Sequence, residues 1–278
     1  MLHRWLREPK FCSVCFLSFF DMSASASTPI YLEPGISRYP PFSRALRLTV
    51  LGAGAWGSAL AGLAMLNGHT VRVWSRRGDL ALAEAIAQSD VILSAISMKG
   101  VASVAQQLQQ MDIPPEAILV TATKGLDPQT TQTPSQLLSQ MFPTHAVAVL
   151  SGPNLSREIE NGLPAATVLA STDRSAAQRV QRLFSSDQFR VYTSADPLGA
   201  ELGGTLKNVV AIAVGVCDGL SLGTNAKSAL ITRALPEVIR IGMRLGAAEV
   251  ETFYGLSGLG DMLATCSSQL SRNYRVGY

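Results

Sequence analysis

The sequence predicts an α/β fold: a doubly wound, mostly parallel sheet followed by an all-helical region. Three observations carry that expectation. Short apolar runs of strand length alternate with helix-length segments from residue 46 to residue 195, as buried parallel strands and their crossovers do. A glycine-rich turn joins the first apolar run to the first helix. After Asp196 the strand-like runs stop, and residues 196–278 read as helices alone.

Taken in order, RLTVLGAG leads into a helix over 57–67, with Gly68 as its stop. VRVWSR is the second strand, followed by a helix over 80–88. DVILSAIS precedes a helix over 100–110, AILVTATKG one over 134–141, AVAVLSGP one over 154–161, and PAATVLAS one over 174–185. FRVYTS closes the series. Parallel pairing needs crossovers of this kind, and no repeat of fixed period interrupts them.

At 278 residues the chain is long enough for one large or two medium domains. Hydrophobic content is 47% and charged content 15%, an ordinary composition for a soluble enzyme. A net charge of +3, carried by dispersed Lys and Arg, argues against nucleic acid as a partner. The 4 cysteines, Cys12, Cys15, Cys217 and Cys266, make no disulfide framework, and the 3 histidines are scattered, so no metal site is expected. Cys12 and Cys15 have C-x-x-C spacing, but no second cysteine or histidine pair follows them. Near the start, Arg4, Arg7 and Lys10 precede FCSVCFLSFF, an apolar run too short to span a membrane. It mimics a secretory leader, yet Asp21 closes the run and Met22 offers an alternative start. The expectation is a disordered or mis-set extension over residues 1–45, no stable membrane insertion, and a cytoplasmic protein.

Gly52-Ala53-Gly54-Ala55-Trp56-Gly57 spells G-x-G-x-x-G after the apolar strand and at the head of the helix. Glycines there permit a tight turn, close approach of the backbone to a pyrophosphate, and tight helix-on-strand packing. The helix N-terminus adds free N–H groups and a positive dipole end. Residues 46–195 therefore read as a dinucleotide-binding domain, the alternative being a glycine-rich turn without a ligand. About twenty residues further on, an NAD site offers a carboxylate to the ribose. Here the second strand ends in Trp74-Ser75-Arg76-Arg77. Arg76 and Arg77 suit a 2′-phosphate, so NADPH is favoured over NADH, unless the two are solvated loop charges.

Four further strings carry chemistry. Lys124, in T-A-T-K-G, falls at the carboxyl end of a buried strand, where ligands gather in open α/β sheets. Ser151-Gly152-Pro153-Asn154 holds the same place after the next strand, where glycine would let a backbone N–H approach a substrate. Gly255-Leu256-Ser257-Gly258-Leu259-Gly260-Asp261 and Ser271-Arg272-Asn273 lie in the helical region. A loop lysine, an ordinary turn, a helix cap and a surface charge are the plain alternatives for these four. A further feature within the helices is ELGGTLKNVVAIAVGVCDGL, residues 201–220. There Lys207 shares a helix side with Gly203, Gly204, Val210, Ala211 and Val214. It is either a snorkelling lysine or a functional one.

Together these strings resemble the bacterial NAD(P)-dependent glycerol-3-phosphate dehydrogenases: G-A-G-A-W-G, T-A-T-K-G-L, L-S-G-P-N, E-L-G-G-T-L-K-N-V-V-A-I, N-A-K-S-A-L-I-T-R, G-L-S-G-L-G-D and S-R-N-Y-R-V-G, in family order from residue 48 to the end. The resemblance implies interconversion of dihydroxyacetone phosphate and sn-glycerol 3-phosphate, the latter for phospholipid synthesis. It implies Lys207 as the catalytic lysine, and substrate contacts from Lys124, Gly152, Asn154, Asp261, Ser271, Arg272 and Asn273. Cofactor contacts are implied for Gly52, Gly54, Ala55, Trp56, Gly57, Arg76, Arg77, Lys124, Ser156 and Arg272, with NADP or NAD as the cofactor. A homodimer is compatible with it. Three departures stand out. The stretch between Arg77 and Asp90 is shorter than in most members, Ala95-Ile96-Ser97-Met98-Lys99 replaces the more usual Val-Pro-Ser, and the chain stops at Tyr278 where members continue, so a C-terminally truncated member is expected.

The residues suit that reaction. Reduction of a ketone at C2 puts negative charge on oxygen, and a lysine supplies the proton. For the reverse reaction the amine must be neutral, which a lysine of pKa about 10.4 is in only about one molecule in 2,500 at pH 7. An apolar helix face and Lys124 nearby would lower that pKa, and Asp261 would raise it. Arg272 offers a planar fork to a phosphate and Asn273 an N–H. A bulky side chain at 203 or 204 would crowd the amine. A 6-phosphogluconate or β-hydroxyacid type dehydrogenase, and a non-catalytic dinucleotide-binding fragment, are the alternative readings.

Overall fold

A computed structural model describes residues 44–278. The extension expected over residues 1–45, with Cys12 and Cys15, lies outside the described residues except for its last two positions.

The seven expected strands are present, in one sheet of order β2-β1-β3-β4-β5-β6-β7. They are β1 (Arg47–Leu51), β2 (Thr70–Trp74), β3 (Val91–Ser94), β4 (Ile118–Thr121), β5 (Val147–Ser151), β6 (Ala165–Ala170) and β7 (Phe189–Ser194). Every neighbouring pair is parallel except β5 and β6, which run antiparallel. The crossovers contain α1 (Ala55–Leu66), α2 (Leu82–Ile86), α3 (Met98–Gln109), α4 (Pro134–Met141), α5 (Ser156–Glu160) and α6 (Arg174–Phe184).

Both faces of the sheet are covered, and the period-two alternation of the strands sorts their side chains between two cores. Leu48, Val50, Val91, Leu93 and Val120 join Leu60 of α1 and Phe184 of α6 on one face. Leu51, Ile92 and Leu119 join Leu108 of α3 and Phe142 on the other. The short stretch between Arg77 and Asp90 holds only the five-residue α2, and β2 is left as the edge of the sheet.

Beyond the sheet come α7 (Pro197–Gly219), α8 (Gly223–Arg244), α9 (Glu251–Tyr254), a π-helical turn (Leu256–Gly260), α10 (Asp261–Ser267) and α11 (Arg272–Gly277). Asp196 caps α7 by accepting from Gly199 N at 2.8 Å, with Pro197 at the first helical position, where a missing N–H costs nothing. α7 is the only helix among the described residues long and apolar enough to cross a membrane, and 61% of that window is buried inside the fold. It is the spine of the helical core: Leu202, Val210 and Val214 pack with Val238, Phe253, Met262 and Cys266. Near its start, Ala200 sits on Val149 of β5 and Ala170 of β6. That contact brings α7 across the carboxyl end of β5.

Candidate active site

Lys207 does not snorkel. It lies on the buried side of α7 with the glycines and valines of its own face, and the residue is 5% exposed. Its ammonium donates to Asp261 Oδ1, to the Asp261 carbonyl at 3.2 Å and to Thr265 Oγ1. The other carboxylate oxygen, Oδ2, accepts from Lys124 Nζ at 2.5 Å, and Lys124 also points at the Gly152 carbonyl, 3.4 Å away. One buried carboxylate thus holds two lysines. Burial pushes Lys207 down from 10.5 to about 8; the charge of Lys124 adds to the fall, and Asp261 opposes it. Burial lifts the neighbouring Cys266 thiol to about 11, which leaves it an inert neutral wall.

Glycines make room for this cluster. A Cβ on Gly204 would stand 2.7 Å from Ser151 Oγ and 3.4 Å from Lys124 Cε, so a side chain there would crowd the lysine pair as expected. At Gly203 the obstacle is different: a Cβ would meet the Ser257 carbonyl at 2.9 Å, in the π-helical turn that delivers Asp261. Asp261 therefore opens α10 as a partner of both lysines and is more than a helix cap. Gly152 has a packing role as well. Its Cβ position faces Thr167 of β6 at 3.0 Å, so close packing of β5 on β6 requires the glycine, while its carbonyl serves Lys124. Asn154 donates to Thr167 Oγ1 at 2.8 Å, and its Oδ1 is buried without a partner.

The Ser271-Arg272-Asn273 string forms the head of α11. Ser271 caps that helix by accepting from Tyr274 N at 3.2 Å, a structural task beside the substrate contact the resemblance implies. Asn273 donates to Asn208 Oδ1 at 2.8 Å, which ties it to the residue after Lys207. Arg272 is exposed. Thr265 and Asn208 were not among the expected site residues. The four-residue spacing of Asp261 and Thr265 places them on one helix face and was the available signal for Thr265.

The glycine loop lies at the same carboxyl edge of the sheet. Gly52 has φ +121°, a conformation that favours glycine, and a Cβ on it would stand 2.8 Å from the Ala95 carbonyl. A Cβ on Gly57 would stand 2.0 Å from the Gly52 carbonyl, which only glycine allows. Gly54, by contrast, faces open space, and no side chain caps α1. Uncapped N–H groups beside an open glycine are what a pyrophosphate requires, so these residues fit a dinucleotide. Ala55 and Trp56 form the first turn of α1, and Gly52 N bonds the Trp74 carbonyl at 2.8 Å, which sets the loop beside the exposed Arg76 and Arg77. Ser156 opens α5. The unusual Ala95–Met98 segment links the two regions. Ile96 lies against Gly52, Met98 against Gly125, and Thr123 Oγ1 donates to the Ile96 carbonyl at 3.0 Å.

Residues 47–82 and 77–177 match the family profile described as NAD-dependent glycerol-3-phosphate dehydrogenase N-terminus, and residues 196–278 match the corresponding C-terminus. The chain belongs to this family. It is 64% identical over 231 residues to the glycerol-3-phosphate dehydrogenase [NAD(P)+] of Acaryochloris marina, covering 83% of this chain and 74% of the relative. The Trichormus variabilis protein of the same name is 65% identical over 231 residues, with 83% and 75% covered. Among solved structures, the Coxiella burnetii glycerol-3-phosphate dehydrogenase superposes with a TM-score of 0.80 at 32% identity, covering 84% of this chain and 79% of that one. Within the family frame, the structure brings Lys124, Gly152, Lys207 and Asp261 into one cluster. Gly52, Gly54, Gly57 and Arg76 form a second group around the loop, and α11 carries Arg272 and Asn273, the latter bonded to Asn208 beside Lys207 on α7.

Proposed function

We propose that this chain is a glycerol-3-phosphate dehydrogenase that interconverts dihydroxyacetone phosphate and sn-glycerol 3-phosphate with NAD(P)H, with Lys207 as its proton donor and acceptor. The observation that carries the reading is the buried Lys207 ammonium, lowered to about 8 and held on Asp261 and Thr265 at the edge of a sheet whose glycine loop fits a dinucleotide.

Gly52, Gly54 and Gly57 would hold the nicotinamide cofactor, which when bound would supply the hydride for the C2 carbon. Lys207 gives its proton to the C2 oxygen as charge builds there, and takes the hydroxyl proton back in the oxidation of glycerol 3-phosphate. With a pKa near the working pH the amine serves in both directions. Lys124 and Asp261 orient it, and the positive charge of Lys124 favours the developing oxyanion. Arg272, with Asn273 beside it, receives the phosphate, and Gly152 and Asn154 line the strand side of the pocket. In this reading residues 46–195 form the cofactor domain and residues 196–278 the substrate domain. Arg76 and Arg77 favour NADPH, and the enzyme works in the cytoplasm, as a homodimer, to supply glycerol 3-phosphate for phospholipid synthesis.

The test is consumption of NADPH by the purified chain with dihydroxyacetone phosphate as substrate. Turnover is expected, and Lys207→Ala should reduce kcat by about 10² to 10⁴, the scale of a general acid. An active Lys207→Ala protein would sink the assignment.

A further inference from the structure

The loop between β4 and α4 carries Lys124 at one end and enters α4 at the other, and α7 holds it at both. At the lysine end, Gly125 N donates to Thr205 Oγ1 at 3.0 Å. Gly125 has φ +133°, and a Cβ there would press on Met98 at 3.2 Å, so the hydrogen bond fixes a turn already limited to glycine. At the far end, Glu201 accepts from Ser135 N at 3.1 Å and from Ser135 Oγ at 2.5 Å, in the first turn of α4. Between the two anchors, residues 128–131 are exposed and Leu126 packs on the helical core. Glu201 is 2% exposed, and burial pushes its carboxyl up from 4.5 to about 7. A buried carboxylate is expensive to keep, and helix capping alone does not need one from another element.

We propose that Thr205 and Glu201 are positioning residues that clamp the Lys124 loop to α7 and so set the spacing of the Lys124 and Lys207 amines on Asp261. Both amines then hang from one rigid frame: Lys207 from α7 itself, and Lys124 from a loop pinned to α7 two and six residues before Lys207. Release of the loop lets Lys124 withdraw from Asp261. The charged or titratable groups bearing on Lys207 are Lys124, Asp261 and Cys266; further along the same helix, Asp218 accepts from Tyr274 of α11 and Lys227 of α8, each at 2.6 Å, and Arg272 of α11 is exposed. Of these, Lys124 alone is carried by the clamped loop. Its withdrawal removes a positive charge that lowers Lys207 and leaves Asp261 to Lys207 alone, so Lys207 rises towards its ordinary value.

The proposal rests on Lys207 being the proton-transfer group, and the test separates the two. In the full chain, Thr205→Val keeps the shape and removes the acceptor, leaving the Gly125 N–H unpaired; Thr205→Ser restores it. Thr205→Val should lower kcat for dihydroxyacetone phosphate reduction by about tenfold, with a smaller change in KM, as misplacement of a reacting group does. The alkaline-going rise of glycerol 3-phosphate oxidation should move to higher pH, about threefold less active at pH 7 for a half-unit shift. Thr205→Ser should return both values towards wild type, and Glu201→Ala should move them in the same direction as Thr205→Val. If Thr205→Val fails to fold, Thr205→Ala takes its place, since it adds no new contact. A variant that melts earlier but keeps kcat and the pH limb would overturn the proposal by showing a structural role only. Loss of activity in Lys207→Ala with normal Thr205 variants would overturn this proposal alone, whereas an active Lys207→Ala would remove the reading beneath it.

Discussion

The glycine loop and the lysine cluster lie along the same edge of the sheet and are built by opposite means. The loop is six consecutive residues whose chemistry belongs to the backbone, and two of its glycines are fixed by near neighbours: Gly57 by the Gly52 carbonyl and Gly52 by the Ala95 carbonyl. The cluster takes Lys124, Lys207 and Asp261 from three distant segments, and its chemistry belongs to side chains. Nothing charged is buried in the loop. In the cluster two buried charges, Lys207 and Asp261, share one place with the half-buried Lys124, and each has a partner there. Local geometry thus makes a site for a phosphate, while tertiary packing is needed to tune a pKa.

The sharpest way to break that contrast is to remove the shared carboxylate. Asp261→Asn leaves two ammonium groups facing one another with no anion between them. Removing one partner of a buried ion pair costs about 3–5 kcal/mol, so a large drop in melting temperature is expected, partly relieved by loss of a proton from Lys207. Without the carboxylate, burial and Lys124 are unopposed, and Lys207 falls below its present value of about 8. The limb for glycerol 3-phosphate oxidation then shifts to lower pH, while dihydroxyacetone phosphate reduction at neutral pH collapses for want of a proton. The stability sign can be read in the unmutated chain as well. Its folded Lys207 releases a proton near pH 8 and the unfolded one near 10.5, so this group adds stability as the pH rises between the two. An Asp261→Asn protein with the parental pH profile would show that the carboxylate does not govern Lys207.

The matching test of the loop is Gly57→Ala. A single methyl would lie 2.0 Å from the Gly52 carbonyl, in backbone that cannot yield without opening the turn. Overpacking of this kind costs about 1–3 kcal/mol, and NADPH affinity, followed by thermal shift or fluorescence, should fall by about tenfold or more. Turnover at saturating cofactor should fall far less than in Asp261→Asn. Equal losses in kcat from both variants would dissolve the distinction between a backbone site and a side-chain site.

The same distinction explains what was legible in the sequence. Each strand announced itself by an apolar run, and G-x-G-x-x-G announced the loop, because both are local patterns. The reversal of β6 was not visible, since an apolar run has no direction and only the connection decides it. Lys207 drew attention as a charge on an apolar face, but its partner Thr265 and the anchors Thr205 and Glu201 act across elements that only the fold brings together. Gly152 stood out by its place after the strand and by the resemblance; the close approach of Thr167 from the antiparallel neighbour, which also excludes a side chain there, depends on a pairing that the sequence does not display.

The smallest expected effect belongs to Arg76 and Arg77, where the loop meets solvent. Both are exposed after the last residue of β2, and Gly52 N bonds the carbonyl of Trp74 two positions before Arg76. A 2′-phosphate held there would meet guanidinium groups in high dielectric, where one charge-assisted contact contributes about 1 kcal/mol or less. Arg76→Ala should therefore raise the KM for NADPH by about threefold to fivefold and leave NADH nearly untouched, with the discrimination shrinking further as salt is added. The effect should appear in kcat/KM for NADPH alone, because the arginines do not approach the lysine cluster. An equal loss with NADH would place Arg76 on the shared adenosine or pyrophosphate part of the cofactor instead. It would also mean that cofactor choice in this chain is made elsewhere, the closest alternative being the Ala95–Met98 segment that joins the loop to the lysines.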